Sequence, residues 1–294
     1  MVTCPFCKTQ HPIDPGSTPP QSKRVRCSNC EATFLLKVLE EGRKQRPGRP
    51  RRISVVVSKG GVGKTTTAVN LAAGLACNGY KTLLIDADTQ GQDSLHLGVH
   101  PKKGLADFII GYPQAEDALF EARPNLWLLA GGRNLGSLKR FIHKQDFGGE
   151  YTLKNRLQRF ENRFSFIIID TAPGWDSLTI NVLFYADEIA IPVSLEMLAL
   201  HGMTEFNKSL DAIKVYRKAL EVKYIIPTFY DIKMQESVAV LGRLKNYYGE
   251  KVLSPIRHDI TLAQAPALGK TIFEFAPGSS GAKDYRQLVT SILC

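Results

Sequence analysis

Short runs of hydrophobic residues alternate with longer amphipathic stretches from residue 53 to the end of the chain. Five runs predict strands, at 53–57, 81–86, 164–170, 187–193 and 224–229. Stretches with helical spacing follow them, at 67–76, 152–162, 199–219, 235–247 and 281–293. Strands that are apolar on both faces are typical of a parallel sheet covered by helices. The pattern therefore predicts an α/β fold, a mostly parallel sheet with helices on both faces.

The first 52 residues do not follow this pattern. Two short strand-like runs, 23–26 and 33–38, lie in a cysteine-containing segment, and residues 39–52 are rich in proline, glycine and arginine. Such a composition is typical of a linker, because it cannot bury enough apolar surface to pack. We therefore divide the chain into a small module at 1–38, a basic linker at 39–52 and a main domain at 53–294.

Composition is that of a globular protein, with 44% apolar and 22% charged residues among 294. No apolar run approaches the ~18–20 residues of a membrane span, and no secretory signal opens the chain. We therefore expect a cytoplasmic protein.

The net charge of +10 is concentrated near the start of the chain. Residues 1–52 carry eleven Lys and Arg against four Asp and Glu, whereas the main domain is almost balanced. A basic arm before a neutral body favours a polyanionic partner, although a basic tail without a specific partner is the alternative. The candidate nucleic-acid contacts in this arm are Arg49, Arg51 and Arg52.

Four of the six cysteines form two C-x-x-C pairs that are separated by nineteen residues, Cys4 with Cys7 and Cys27 with Cys30. Two such turns aim four sulfurs at one point, which is the ligand set of a structural Zn²⁺ site. A redox role is the weaker alternative, because it needs only one pair. We predict a zinc ribbon at 1–38, and its target, DNA, RNA or protein, stays open.

A glycine-rich loop at 58–66 lies between the first predicted strand and the first predicted helix. Strand, glycine loop and helix in this order predict a phosphate-binding loop, whose backbone N–H groups approach phosphate oxygens closely. Lys64 adds a positive charge, and the Thr65 hydroxyl is placed to hold Mg²⁺. The predicted cofactor-binding residues are Lys59, Gly60, Gly61, Val62, Gly63, Lys64, Thr65 and Thr66.

Three aspartates, Asp86, Asp88 and Asp170, stand at the ends of predicted strands. In a parallel sheet the carboxyl ends of the strands lie at one edge, where ligands bind. A single aspartate there is more often a helix cap or a turn residue. Three of them beside a phosphate loop instead predict a functional site, in which Asp170 would hold the Mg²⁺ shell.

The loop sequence K-G-G-V-G-K-T-T resembles the deviant Walker A loop of the ParA/MinD ATPases. Residues 86–90 are similar to the family's D-x-D-P-Q motif, and 191–202 and 228–231 are similar to two later motifs, so that the resemblance covers about four fifths of the chain. It implies ATP and Mg²⁺ as cofactors, with Asp86 near the metal, and a homodimer that forms with ATP. The implied catalytic residues are Lys59, acting across the dimer, Lys64, and Asp88, which orients the attacking water. Tyr230 and Asp231 are implied to lie near the base.

The same resemblance implies non-specific DNA binding by the ATP-bound dimer and a nucleoid-associated location. Lys233 stands where the family has one DNA-contacting arginine, but two others correspond to His258 and Thr261, with Arg257 displaced by one position. We therefore expect the basic ribbon and linker to replace part of that surface. A ParB-like protein or a cargo adaptor would stimulate a slow ATPase, which would partition DNA or another cargo.

Two alternatives stay open from the sequence. One is a zinc-ribbon nucleic-acid-binding regulator that uses its ATPase domain for dimerisation, and the other is a MinD-like protein that positions a protein cargo. A membrane partner is not favoured, because the final segment, 284–294, has little of the basic flank that an amphipathic membrane helix needs.

Overall fold

Seven strands form one sheet in the computed structural model, which describes residues 2–12, 24–35, 49–111 and 115–294. In chain order its strands are β5 Arg51–Val55, β6 Thr82–Ala87, β7 Phe120–Arg123, β8 Leu126–Leu129, β9 Phe166–Thr171, β10 Glu188–Ser194 and β11 Glu221–Thr228. Across this sheet the strands lie in the order β11-β10-β5-β9-β6-β8-β7, and among its described strand pairs only β7–β8 is antiparallel.

Helices cover both faces of the sheet and form two hydrophobic layers with it. The helices are α1 Lys64–Cys77, α2 Gln92–Leu97, α3 Leu105–Ile110, α4 Leu135–His143, α5 Thr152–Leu157, α6 Ser177–Tyr185, α7 Met197–Lys214, α8 Gln235–Tyr248, α9 Ile260–Gln264, α10 Ile272–Phe275 and α11 Ser280–Leu293. One layer contains α1, α10 and α11, and the other contains α3 to α8. None of the described helices combines the length and the apolar character needed to cross a bilayer.

The predicted α/β fold is confirmed, and each of the five predicted strands is present with its ends moved by a few residues. The β7–β8 hairpin was not predicted. Its strands have four residues each, and β7, Phe-Glu-Ala-Arg, lacks a continuous apolar run because it is an edge strand with two exposed positions.

The first strand corrects the predicted linker boundary, because it begins at Arg51 rather than at residue 53. Arg51 pairs with Phe166 of β9, and its guanidinium binds Glu188 and the hydroxyl of Tyr224. These contacts hold the strand end in the sheet. The rest of the predicted linker, 39–48, lies outside the described residues.

Arg52 is 1% exposed and lies between two carboxylates, Asp187 at 2.6 Å and Glu161 at 3.2 Å. A buried charge is tolerated only when it is paired, and removal of one partner costs several kcal/mol. The assignment of Arg51 and Arg52 as nucleic-acid contacts is therefore wrong, since both guanidinium groups are used inside the fold. Arg49 is 57% exposed but also binds Glu161, at 3.1 Å.

The cysteine module packs directly on the main domain. Its strands are β1 Val2–Thr3, β2 Gln10–His11, β3 Arg24–Arg26 and β4 Thr33–Leu35. Phe6 is 3% exposed and meets the ring of Phe273 edge to face at 5.3 Å. Arg286 of α11 lies over the Phe6 ring and donates to the carbonyl of Cys30 at 2.9 Å. The module therefore shares the hydrophobic layer that contains α1 and α11.

We expect Phe6→Ala to lower the free energy of unfolding of the main domain by about 3 kcal/mol, because it opens a cavity in a shared core. Urea unfolding followed by tryptophan fluorescence reports this, since both tryptophans, Trp127 and Trp175, lie in the main domain. Phe147→Ala, at a side chain that is 94% exposed, is the control. An unchanged midpoint for Phe6→Ala would mean that the module unfolds independently.

Candidate nucleotide and metal sites

The glycine loop connects β5 to α1 through two residues in the left-handed region, Gly61 at φ +73° and Gly63 at φ +85°. Residues with a Cβ adopt this conformation only at a cost in free energy, so the turn requires glycine at these two positions. Lys64 begins α1 and is 7% exposed, and its ammonium group donates to the Lys59 carbonyl at 2.9 Å. Burial lowers the pKa of Lys64, while the charges of Asp170 and Asp88 oppose that shift.

A cavity of about 610 Å³ opens over this loop at the carboxyl edge of the sheet. This volume suits a nucleotide. Burial lowers the pKa of His96 in its wall to about 4, which keeps that imidazole neutral near pH 7. The loop contributes to the wall Gly60, Gly61, Gly63, Lys64, Thr65 and Thr66, and the facing segments contribute Asp88, Pro173, Thr228, Phe229, Ile256, Arg257 and His258.

Four predicted cofactor residues lie outside this wall, namely Lys59, Val62, Tyr230 and Asp231. Val62 is buried beneath the loop, where its carbonyl accepts the Thr228 hydroxyl at 3.0 Å. Tyr230 packs against the core, and an Asp231 carboxylate oxygen accepts the Lys233 amide at 2.9 Å. The residues that do line the cavity are Thr228 and Phe229, which precede them, so the predicted position is displaced by two residues.

Asp86 and Asp170 are direct neighbours in the sheet, because β6 and β9 pair in parallel at these two positions. The Thr65 hydroxyl donates to Asp170 Oδ2 at 2.6 Å. Asp86 accepts the backbone amides of Asp88 at 2.9 Å and of Asp93 at 3.2 Å. The structure thus brings together the three residues predicted to hold Mg²⁺.

Asp93, at the second position of α2, is a member of this cluster that the sequence analysis missed. Carboxylate oxygens of Asp86, Asp93 and Asp170 lie within 4.8 Å of one another, and all three side chains are buried. Burial, reinforced by the neighbouring carboxylates, raises the pKa of each. Asp93 lies inside a short helix and not at a strand end, so the sequence pattern did not predict that it belongs to the site.

The donor set fits Mg²⁺, which prefers carboxylate and hydroxyl oxygens. Asp170 Oδ1 is buried and has no hydrogen-bond partner among the described residues, so it is available to a cation. Thr65, Asp86 and Asp170 would hold the ion, which would supply positive charge beside the phosphates.

Asp88 and Lys59 flank the cavity in different ways. Asp88 lies in the wall, and its Oδ1 accepts the Gln90 amide at 2.9 Å, which orients the carboxylate. Within the described residues, the wall does not include Lys59. Its side chain is 40% exposed and binds Glu196, itself 62% exposed, at 2.9 Å.

The four paired cysteines form a second site, in the N-terminal module. The sulfurs of Cys7 and Cys27 are 3.4 Å apart, and those of Cys4 and Cys30 are 3.7 Å apart. Four Zn–S bonds of ~2.3 Å in a tetrahedron place sulfurs about 3.8 Å apart, so this set fits Zn²⁺. His11 Nε2 lies 3.1 Å from Cys27 Sγ, where it can hydrogen-bond the sulfur.

The two turns that carry these cysteines have the same geometry. In each, the fifth residue donates its amide to the carbonyl of the first cysteine and has a positive φ, Lys8 at +61° and Glu31 at +60°. The first cysteine of each turn also donates its own amide to the carbonyl of the sixth residue, Thr9 or Ala32. Two equivalent turns therefore present the sulfurs to one centre.

Of the DNA contacts predicted in the main domain, Lys233 is exposed, and its ammonium group forms no ion pair in the part of the chain that the structure describes. Arg257 lies in the nucleotide cavity wall, and its guanidinium binds the Asp284 carboxylate at 2.6 Å. The Arg257 side chain is still 48% exposed, so its contact with DNA stays a prediction.

Comparison with known proteins agrees with this geometry. Residues 50–222 match a family described as an AAA domain, and residues 1–35 match a zinc-ribbon domain. The chromosome-partitioning ATPase Soj of Thermus thermophilus is 34% identical over 83% of this chain and 95% of its own length.

Solved structures with the same fold include two nucleotide-bound proteins. Cobyrinic acid a,c-diamide synthase from Mycobacterium smegmatis, with a bound ATP analogue and magnesium, is 28% identical, with a TM-score of 0.71 over 83% of this chain and 94% of that one. The septum site-determining protein MinD from Pyrococcus horikoshii, complexed with Mg-ADP, has a TM-score of 0.69 over 83% of this chain and 96% of that one. At 23% identity the second likeness shows the fold alone.

Gly131 is a second residue of the site that the sequence analysis did not identify. A Cβ at this position would lie 2.4 Å from Asp86 Oδ1 and 2.7 Å from the Asp88 carbonyl. Only glycine therefore leaves room for both aspartates.

We expect Gly131→Ala to lower the rate of Mg²⁺-dependent ATP hydrolysis about 100-fold, since a shift of about 1 Å in a positioned group has this effect. Steady-state phosphate release measures it, and thermal unfolding verifies that the variant is folded. Gly136→Ala is the matched control, because its Cβ would meet only Arg140, at 3.8 Å. Equal rates for the two variants would contradict the steric argument.

Proposed function

Because the chain belongs to the ParA/Soj family of P-loop ATPases and carries an N-terminal zinc ribbon, we propose that it is an ATP-dependent dimerisation switch. Two subunits that each hold Mg-ATP associate, and the dimer binds DNA without sequence preference. Hydrolysis of ATP separates the subunits and releases the DNA. The chain thereby positions DNA or another cargo, and a ParB-like protein or cargo adaptor accelerates its hydrolysis.

The placement of Lys59 is the observation that carries this proposal. Its backbone carbonyl is held by Lys64 inside the phosphate loop, while its side chain is 40% exposed and extends to Glu196. An exposed ion pair of this kind contributes at most about 1 kcal/mol. Lys59 can therefore exchange Glu196 for the phosphates of a nucleotide in a second subunit at little cost.

Exposed apolar side chains near the same edge of the sheet support self-association. Leu198 is 77% exposed, Ile232 74%, Met234 54% and Phe229 45%. All four follow the carboxyl ends of β10 and β11 along the chain, and Phe229 lines the nucleotide cavity. Several large exposed apolar groups are typical of an interaction surface, and Leu198 follows Glu196, the ion-pair partner of Lys59, by two residues.

The site supports hydrolysis by positioning and charge stabilisation, which is how phosphoryl transfer is catalysed in this class of enzyme. Lys64 neutralises charge on the outer phosphates. Thr65, Asp86 and Asp170 hold Mg²⁺. Asp88, whose orientation is set by the Gln90 amide, is placed to orient the attacking water. The cysteine set binds Zn²⁺ and stabilises the ribbon.

DNA contact is assigned to Lys233, to Arg257 and to the basic N-terminal segment, with Arg51 and Arg52 excluded because carboxylates hold both inside the fold. Deletion of residues 1–52 is not a clean test of that segment. It would remove the start of β5 and also Phe6, which packs in the core of the main domain. Substitutions that neutralise the basic residues of the segment keep the start of β5 and the packing of Phe6, and are therefore the better test.

We expect binding to random-sequence DNA with ATP, weak binding with ADP or without nucleotide, and weaker binding at high salt, because phosphate contacts release counterions. Fluorescence anisotropy with a labelled duplex measures all three states at two salt concentrations. Lys64→Ala should abolish the ATP-dependent part. Equal binding in all states that survives Lys64→Ala would instead support a zinc-ribbon regulator. No DNA binding in any state would point to a protein cargo.

Lys59→Ala should leave ATP affinity unchanged and weaken ATP-dependent dimerisation at least about tenfold, which corresponds to 1.4 kcal/mol. A fluorescent ATP analogue reports affinity, and light scattering after size exclusion reports mass. Lys103→Ala, which removes a similar exposed ion pair to Asp117, is the control. If the Lys59→Ala protein dimerises like wild type, Lys59 does not contact the nucleotide of a second subunit.

A further inference from the structure

Asp93 is buried without compensation. Its side chain is 0% exposed, and neither carboxylate oxygen has a hydrogen-bond partner among the described residues. Its own backbone amide donates to Asp86 Oδ2 at 3.2 Å, which holds the two residues against each other. A carboxylate removed from water in this way needs a positive partner.

Three carboxylates converge at this point, and the described chain supplies little positive charge to balance them. Backbone amides satisfy Asp86, and the Thr65 hydroxyl satisfies one oxygen of Asp170. Both carboxylate oxygens of Asp93 and Oδ1 of Asp170 have no hydrogen-bond partner among the described residues. No ion pair with a lysine, arginine or histidine reaches any of the three within the described residues, although Lys64 is close enough to act on Asp170.

The spacing of these oxygens suits a hard divalent cation. Ligand oxygens of the three aspartates lie within 4.8 Å of one another, so one ion can contact all of them after small side-chain rotations. Mg²⁺ in nucleotide enzymes usually has one or two protein carboxylates and takes its remaining ligands from phosphates and water. A third carboxylate changes this balance, because the protein alone then supplies enough negative charge to retain the ion.

We propose that Asp93 is a third carboxylate of the cation site and that the site therefore binds a hard divalent cation before any nucleotide arrives. The inference extends the proposed function, because the retained ion would then meet the phosphates of ATP. It concerns the protein's own cation affinity, which can be measured without ATP and without hydrolysis.

The test uses the full-length, zinc-loaded, nucleotide-free protein and Mn²⁺ alone as the probe. Electron paramagnetic resonance of free Mn²⁺ counts the bound ions. We expect one ion per chain, displaced by excess Mg²⁺. Asp93→Asn keeps the shape of the side chain and should weaken Mn²⁺ binding at least about tenfold, as loss of a metal-supporting group does. Asp146→Asn removes the same charge at an exposed site and should bind like wild type.

Thermal unfolding with and without Mg²⁺ distinguishes a lost ligand from a misfolded variant. Without added Mg²⁺ or Mn²⁺, Asp93→Asn should be at least as stable as wild type, since it removes an unpaired buried charge. Added Mg²⁺ should raise the midpoint of wild type more than that of the variant. An absence of Mn²⁺ binding by nucleotide-free wild type, or equal binding by Asp93→Asn, would overturn the proposal.

Affinity for a fluorescent ATP analogue in the presence of Mg²⁺ separates this inference from the proposed function. Loss of analogue binding by wild type would contradict the proposed function and leave the Mn²⁺ result intact. Analogue binding without Mn²⁺ binding would contradict only the role of Asp93.

Discussion

Burial of negative charge at the carboxyl edge of the sheet is the constraint on which the rest of the site depends. The parallel register of β6 and β9 sets Asp86 beside Asp170, and α2 adds Asp93. The glycine at 131 leaves the space that Asp86 occupies. Lys64 and Thr65, at the start of α1, face this edge. The phosphate loop and the metal residues therefore form one electrostatic unit.

At the opposite, amino edge of the sheet, the buried charges are paired within the chain. Arg51 and Arg52 begin β5 there and are matched by Glu161, Asp187 and Glu188. These charges balance within the chain, so that edge needs no ligand. At the carboxyl edge the carboxylates exceed the local positive charge. A bound cation would offset this excess of negative charge, so stability and cation binding would be linked there.

The ribbon belongs to the same structural unit as the ATPase. Phe6 packs on Phe273, and Arg286 joins the ribbon backbone to α11. The layer that receives the ribbon also contains α1, the helix that begins with Lys64. A cysteine site that stabilises the ribbon therefore also supports the packing behind the phosphate loop. This arrangement differs from the separate basic arm that the charge distribution suggested.

The sequence by itself determined the α/β fold, the phosphate loop and the two cysteine pairs, because each depends on local spacing along the chain. Apolar runs, glycines at fixed intervals and C-x-x-C turns act over a few residues. Asp86 and Asp170 were also predictable, since strand ends of a parallel sheet share one edge. Tertiary structure alone decided the contribution of Asp93 and Gly131 and the internal pairing of Arg51 and Arg52. The roles of these residues depend on neighbours that are distant in the sequence. Charge and composition do not indicate which of these neighbours each residue will contact in the fold.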